Sequence, residues 1–409
     1  MIFKSTQMDD KFKKWAIIFL IRAVDESAKQ ALTVIEQLKA AEINPAIEII
    51  IWLHVTTENV PNDYPRGNKP SRYKTTNLFY EIKGNQLNCL GENAGLSIKK
   101  PEDITDFFKE QVINRFIVEK YILFTWGHGT DFAIFQYGVG MLTMTDLSNA
   151  ITNAFGNRKI DVVVMFNCFQ QFFDTGYELS CSADYLLAFE TFMYFENDLD
   201  YSVILEKLSG EPAISTRAIA SFIINSFAAK GDGNAEQKND TAFFANDLSW
   251  YADMARLIDE MAVIMINNSE NSFHKIQAAR EKCEYIRFAS DKHALIDFKK
   301  FLLSLYDLAP QLFPEDLYGR MIYYFNKIVL EEKFIGEVYK QERGDKTISP
   351  SGFSIYFPAT KDKYNTNYSN LFFTEESPYA TKFTKMFRWS NFISEYIKCT
   401  KRNPVQGIS

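Results

Sequence analysis

Along the first half of the chain, short uninterrupted apolar runs alternate with stretches in which apolar residues recur every three or four positions. Trp15–Ile21 is a continuous apolar run, the pattern of a strand covered on both faces. The following segment, roughly 27–41, sets Ala31, Leu32, Ile35 and Leu38 on one stripe and predicts an amphipathic helix. Ile47–Val55 reads as a second buried strand. The polar stretch 56–76, with Pro61, Pro65 and Pro70, reads as a loop before a third strand candidate at Leu78–Ile82. A helix is expected over about 103–116, with Asp103 at its N-cap. Two further strands, Tyr121–Trp126 and Asp161–Phe166, flank a helix over about 145–155, and Tyr185–Phe189 is a short strand after them. Such alternation implies right-handed crossovers and a mainly parallel sheet.

The second half is more helical. Ala229–Asp240 is polar and glycine-containing and reads as an exposed loop, followed by a short apolar piece, Thr241–Ala245. Helices are expected near 247–266, 272–286, 293–305 and 317–331, and Ser354–Phe357 is a late strand stopped by Pro358. The expected organisation is an α/β core over 1–245 and a mostly helical region over 246–409 that contributes a late strand near 353–357.

Composition narrows the classes. With 36 Phe and 21 Tyr among 409 residues, the chain has ample aromatic bulk for a large core. A net charge of -7 argues against a nucleic-acid or anionic-membrane surface. Cys89, Cys168, Cys181, Cys283 and Cys399 are scattered without a CxxC pair, so neither a disulfide framework nor a zinc site is read and reduced thiols are expected. Trp15–Ile21 is far too short to span a membrane, and no small-residue cleavage signature follows it. The expectation is a cytoplasmic protein if the chain is complete, and a secreted or periplasmic one if a leader has been removed. Nothing in the sequence fixes an oligomeric state.

Both of the strongest buried strands end in a reactive residue. Gly127-His128-Gly129 follows Trp126, and Asn167-Cys168 follows Phe166. Functional residues gather beyond the carboxyl ends of strands in open parallel sheets, so neighbouring strands would bring this imidazole and thiol together. A thiol there becomes a nucleophile when an imidazole takes its proton. The amides of Gly129 and Cys168 are candidates to hold the oxyanion of an acyl intermediate. The bland alternative is a small core Cys and a polar loop His. His54, His274 and His293 have no partner pattern, and Cys181 is expected to be a packing residue rather than a resolving thiol.

At these residues the chain resembles the clostripain family of cysteine peptidases, relatives of caspases, gingipains and legumains. Tyr121–Gly129 is similar to the family's apolar strand ending in His-Gly. Val162–Cys168, with Glu178 in the following helix and the Ala183–Leu187 strand beyond, is similar to its nucleophile motif. Trp15–Phe19, Asp247-Leu-Ser249, Ser351–Pro358 and the aromatic set Phe383, Trp389 and Phe392 match further family segments in order. The resemblance implies a caspase-like α/β sandwich with a mainly parallel central sheet flanked by helices. It also implies peptide-bond hydrolysis by a Cys168/His128 dyad, with cleavage after Arg or Lys. No cofactor is required, and the resemblance allows calcium at surface carboxylates.

Two departures bear on specificity and activation. The family's acid two positions before the nucleophile is Phe166 here, which weakens the expectation of a basic substrate. Phe166 and Asn167 are expected at the substrate pocket, together with acids after the Tyr185 strand, Glu190, Glu196, Asp198 and Asp200, of which Glu196 and Asp198 are preferred; the bland alternative for each is an exposed loop charge. Between Gly129 and Asn157 there is no Lys or Arg, so self-cleavage after a basic residue in that stretch is excluded. The leading expectation is therefore a cysteine endopeptidase acting on a peptide or protein. The second is a catalytically silent relative that binds peptides or a protein partner. A nucleotide-binding protein is disfavoured, since no GxGxxG or GxxxxGK[ST] follows any expected strand.

Overall fold

The computed structural model describes residues 12–66, 74–130, 132–135, 140–194, 197–229, 241–283, 295–335, 350–359, 377 and 379–402. Among the described residues, nine strands form the central sheet: β1 (Phe12–Ala23), β2 (Ile47–Thr56), β3 (Thr75–Lys83), β4 (Gln86–Glu92), β5 (Ile117–Trp126), β6 (Ile160–Phe166), β7 (Ala183–Phe189), β8 (Thr241–Asp247) and β9 (Val329–Ile335). Their order is β9-β8-β7-β6-β5-β1-β2-β3-β4. The segment β2-β1-β5-β6-β7 is parallel, whereas β3 and β4 are added antiparallel at one edge. This is the α/β class that the alternation of patterns implies.

The described residues fall into two compact units, one drawn from 1–170, 181–245 and 331–336 and the other from 171–180, 246–330 and 337–409. The first carries the sheet. Trp15–Ile21 of β1 is buried along its whole length, which is why that strand reads as a continuous apolar run. Helix α1 (Ala28–Ala40) buries Ala28, Ala31, Val34, Ile35 and Leu38 as its stripe. Helix α2 (Pro101–Phe108) differs from expectation. Pro101 takes the first helical position, so Lys100 is the cap, and Asp103 instead accepts a hydrogen bond from the Ser97 amide at 2.8 Å. The α-helix also stops at Phe108 and gives way to a wider π turn over Lys109–Ile113. Helix α3 (Met144–Phe155) starts on a capping box: Thr143 Oγ1 accepts from the Asp146 amide, and Asp146 Oδ2 accepts from the Thr143 amide.

Three strands of the central sheet escape the sequence pattern. β4 is a half-buried edge strand of polar composition. β8 is the short apolar piece after the 229–240 segment. β9 begins at Val329, where the last expected helix was still running, because the helix of Glu315–Ile328 ends one residue earlier.

The second unit is mostly helical, with helices Phe173–Leu179, Tyr251–Asn267, Ser269–Glu281, Phe298–Leu308, Glu315–Ile328, Lys382–Met386 and Trp389–Arg402. The late strand, Ser354–Tyr356, stays within this unit and pairs antiparallel with Leu295–Asp297. Asp297 fastens the turn before it: its carboxylate accepts from the Ser351 amide at 2.6 Å and also caps the next helix at Lys300. Trp389 Nε1 donates to the Tyr356 carbonyl at 2.7 Å. The short Phe173–Leu179 helix buries two acids. Thr381 Oγ1 donates to Asp174 Oδ1 at 2.5 Å, and the Lys382 amide donates to Glu178. Among the described residues no helix is long and apolar enough to cross a membrane.

Candidate active site

Trp126 and Phe166 are register partners at the ends of β5 and β6. The two chains therefore leave the sheet level with each other, and each reaches its reactive residue two positions later. The Gly127 amide donates back to the Phe166 carbonyl at 3.2 Å. Gly127 has φ +142°, and a Cβ there would lie 2.7 Å from the Arg22 carbonyl oxygen, so only glycine fits. Gly129 is needed for a different reason. Its Cβ would meet Asn167 Cβ at 2.7 Å and the Cys168 amide nitrogen at 3.3 Å, so the His128 turn rests directly on the backbone of the thiol residue.

Asn167 holds that contact. Thr125 Oγ1 donates to Asn167 Oδ1 at 2.6 Å, and Asn167 Nδ2 donates to the carbonyls of Gly127 (2.8 Å) and His128 (3.3 Å). The side chain is wholly buried. The expectation that Asn167 contacts substrate is thus corrected: its polar atoms are spent on the turn that carries His128. Gln170 adds a second tie, donating to the carbonyls of Thr130, Ala133 (3.4 Å) and Cys168 (3.1 Å).

Cys168 is half-buried, and its thiol donates to the Met193 carbonyl at 3.5 Å. Burial pushes the thiol up to about 11, because the thiolate would lose water it cannot replace. The next residue, Phe169, has φ +58°, a left-handed conformation that costs a side-chain-bearing residue about 1–3 kcal/mol. Its amide donates to the Thr191 carbonyl at 3.0 Å and its ring packs edge-on to Phe192 with centroids 4.6 Å apart. The 191–193 segment is thereby fixed against the thiol residue.

Sequence reasoning missed Asp25. It lies two residues past β1, and β1 adjoins β5 in the sheet. Asp25 Oδ2 stands 3.1 Å from His128 Nε2, with the Asp25 side chain 3% exposed and that of His128 33% exposed. Asp25 Oδ1 accepts from both the amide (3.0 Å) and the hydroxyl (2.6 Å) of Ser27, which fixes the carboxylate. Asp25, Glu26 and His128 together offer ligand atoms within 4.8 Å of one another.

The expected pocket residues fare unevenly. Phe166 is 1% exposed and sits among Phe189, Tyr201, Phe227 and Phe243, with centroid distances of 5.2–6.5 Å. It is a core residue, not a pocket wall. Glu190, one of the acids expected at the pocket, is instead wholly buried directly after β7, its amide donating to the Ala242 carbonyl at 3.1 Å. Asp198 lies on a short strand, Asn197–Leu199, opposite Ala228 of Phe227–Ala229. Glu196 lies outside the described residues.

Known proteins of this architecture share the arrangement of elements. A zymogen C11 protease from Parabacteroides distasonis, described as inactive, superposes with a TM-score of 0.56 at 14% identity, covering 85% of this chain and 92% of that one. A secreted C11 cysteine protease from Bacteroides thetaiotaomicron, iotapain, gives a TM-score of 0.58 at 13% identity, covering 91% of this chain and 99% of that one. A secreted C11 cysteine protease of the same organism, in complex with an irreversible peptide inhibitor, gives 0.56 at 12% identity over 94% and 99%. No curated protein matches. The sequence profile of the clostripain family matches residues 100–396, which include both His128 and Cys168. The chain therefore belongs to the clostripain family of cysteine peptidases.

Proposed function

We propose that the protein is a cysteine endopeptidase in which Cys168 is the nucleophile, His128 the proton carrier and Asp25 the residue that holds the imidazole. The observation that carries this reading is the level exit of β5 and β6 at Trp126 and Phe166, with Gly129 packed on the Cys168 backbone. The Cys168 sulfur attacks the scissile carbonyl carbon as its proton passes to the imidazole. The amides of Gly129 and Cys168 hold the oxyanion. Collapse of the tetrahedral intermediate breaks the C–N bond, and the imidazolium protonates the leaving amine, which leaves a thioester. Water then attacks the thioester, giving up a proton to the imidazole, and the acid departs as the thiol re-forms. With Nε2 turned to Asp25, Nδ1 is the nitrogen that exchanges protons in this scheme. No metal enters these steps.

The burial of Phe166 among four rings means that the position of the family acid supplies no counter-charge for Arg or Lys. Specificity is accordingly left to other residues. The test is hydrolysis of a peptide library varied at the residue before the scissile bond, comparing the protein with Cys168→Ala. Cleavage by the unaltered chain alone is expected. Cleavage by both, or by neither, would overturn the dyad.

A further inference from the structure

We propose that Asp25, Glu26 and His128 form a binding site for a divalent cation of the zinc class, and that the bound cation takes His128 out of the reaction. The regulatory half of this proposal rests on the peptidase reading above; the metal site does not. Among the described residues, these three form the one group of acidic, imidazole or thiol side chains whose ligand atoms converge within 4.8 Å.

Two features of this pair fit a shared cation. First, Asp25 Oδ2 is buried and accepts no hydrogen bond, although His128 Nε2 is only 3.1 Å away. A buried carboxylate oxygen normally takes a donor or a cation. Secondly, the spacing suits a shared metal. Bonds of about 2.0–2.1 Å in a tetrahedron put two ligand atoms about 3.3 Å apart, close to the distance between Oδ2 and Nε2. Glu26 is exposed and free to swing its carboxylate in as third ligand, with water completing the shell. Asp25 Oδ1 is meanwhile anchored by Ser27, so the ligand oxygen is pre-aimed.

The donor set selects the metal. Calcium takes oxygen ligands only, six to eight of them, so one imidazole with two carboxylates does not fit it. Nitrogen plus carboxylate oxygen in a small open site suits zinc and its first-row neighbours. A cation on Nε2 fixes the ring and places a positive charge beside it, so that His128 no longer accepts the thiol proton.

The test titrates the full-length protein with zinc chloride against a chromophoric zinc indicator. The chain and its Cys168→Ala variant should each take up one zinc with the same affinity, since the thiol is not a ligand. Glu26→Gln should bind at least tenfold more weakly, and Asp25→Asn likewise. In peptide hydrolysis, zinc should inhibit the unaltered protein, and Glu26→Gln should need at least tenfold more zinc while its zinc-free rate is unchanged. Equal binding by Glu26→Gln, or binding lost in Cys168→Ala, would overturn the site. Zinc bound in the expected pattern by a chain that cleaves nothing would sustain the metal site and remove the peptidase reading. Cleavage that zinc inhibits equally in both proteins would keep the peptidase and remove this proposal.

Discussion

Asp25 and His128, about a hundred positions apart in sequence, stand with Oδ2 and Nε2 at 3.1 Å because β1 and β5 are parallel neighbours. An acidic residue on the far nitrogen fixes the ring and stabilises the imidazolium that forms during attack. Asp25→Asn keeps an oxygen for Ser27 but loses the charge. The expected result is a fall in kcat of about 10²–10⁴-fold with KM changed little. Steady-state kinetics with the best library peptide would check it. A rise in KM at constant kcat would assign Asp25 to substrate binding instead.

The ring cluster around Phe166 makes a second case. Phe166→Asp restores the acid that family resemblance leads one to expect, yet it would put a carboxylate among Phe189, Phe227 and Phe243 with no cation within that cluster. An uncompensated buried charge costs about 3–5 kcal/mol, in addition to the packing lost. Thermal unfolding should show a large drop in Tm and no gain of cleavage after Arg or Lys. A stable variant with new basic specificity would mean that this position does face the substrate.

How much of this was legible beforehand depended on whether the signal was local. The β1, β5 and β6 strands announce themselves because strands covered on both faces are apolar at every position. His128 and Cys168 stood out because each follows such a run at once. Asp25 also follows one, but only the strand order, with β1 between β2 and β5, makes it a neighbour of His128. Asn167 stands beside the nucleophile, a position that reads as a substrate contact, whereas its amide is engaged by three groups on β5 and its turn. Phe166 occupies the position of the family's acid, but the pleat turns its ring into the core. β4 and β9 were illegible because half-buried edge strands carry little apolar periodicity.

The Cys168 thiol offers a pH signature. Held at about 11 by burial, it is thiolate in only about one molecule in 10⁴ at pH 7. Alkylation by iodoacetamide, read at the Cys168 peptide by mass spectrometry, should rise about tenfold per pH unit from 7 to 10, whereas an unperturbed peptide thiol levels off near 8.5. A peptidyl acyloxymethyl ketone, which occupies the site as substrate does, should label quickly at pH 7, because the proton is passed to His128 as attack occurs. Rapid alkylation by iodoacetamide at pH 7 would show a thiolate already present in the resting protein.

Asp174, in the helix after the nucleophile strand, should make the fold sensitive to pH in the opposite direction from an ordinary salt-bridged acid. Burial raises its carboxyl from 3.8 to about 7, with the Glu178 charge adding to the rise and the Thr381 hydroxyl opposing it. Below about pH 3 the group is largely neutral in both folded and unfolded chains and carries no penalty. Between pH 4 and 7 the unfolded chain gives up the proton while the folded one retains it, so stability falls as pH rises; above 7 the folded protein holds a buried charge. Asp174→Asn keeps the oxygen to which Thr381 donates and cannot ionise. Its unfolding free energy should equal that of the unaltered protein near pH 3 and exceed it by about 2–4 kcal/mol at pH 8. Urea unfolding at the two pH values measures this directly. A difference independent of pH would mean that Asp174 is ionised throughout, with Thr381 holding it as a carboxylate.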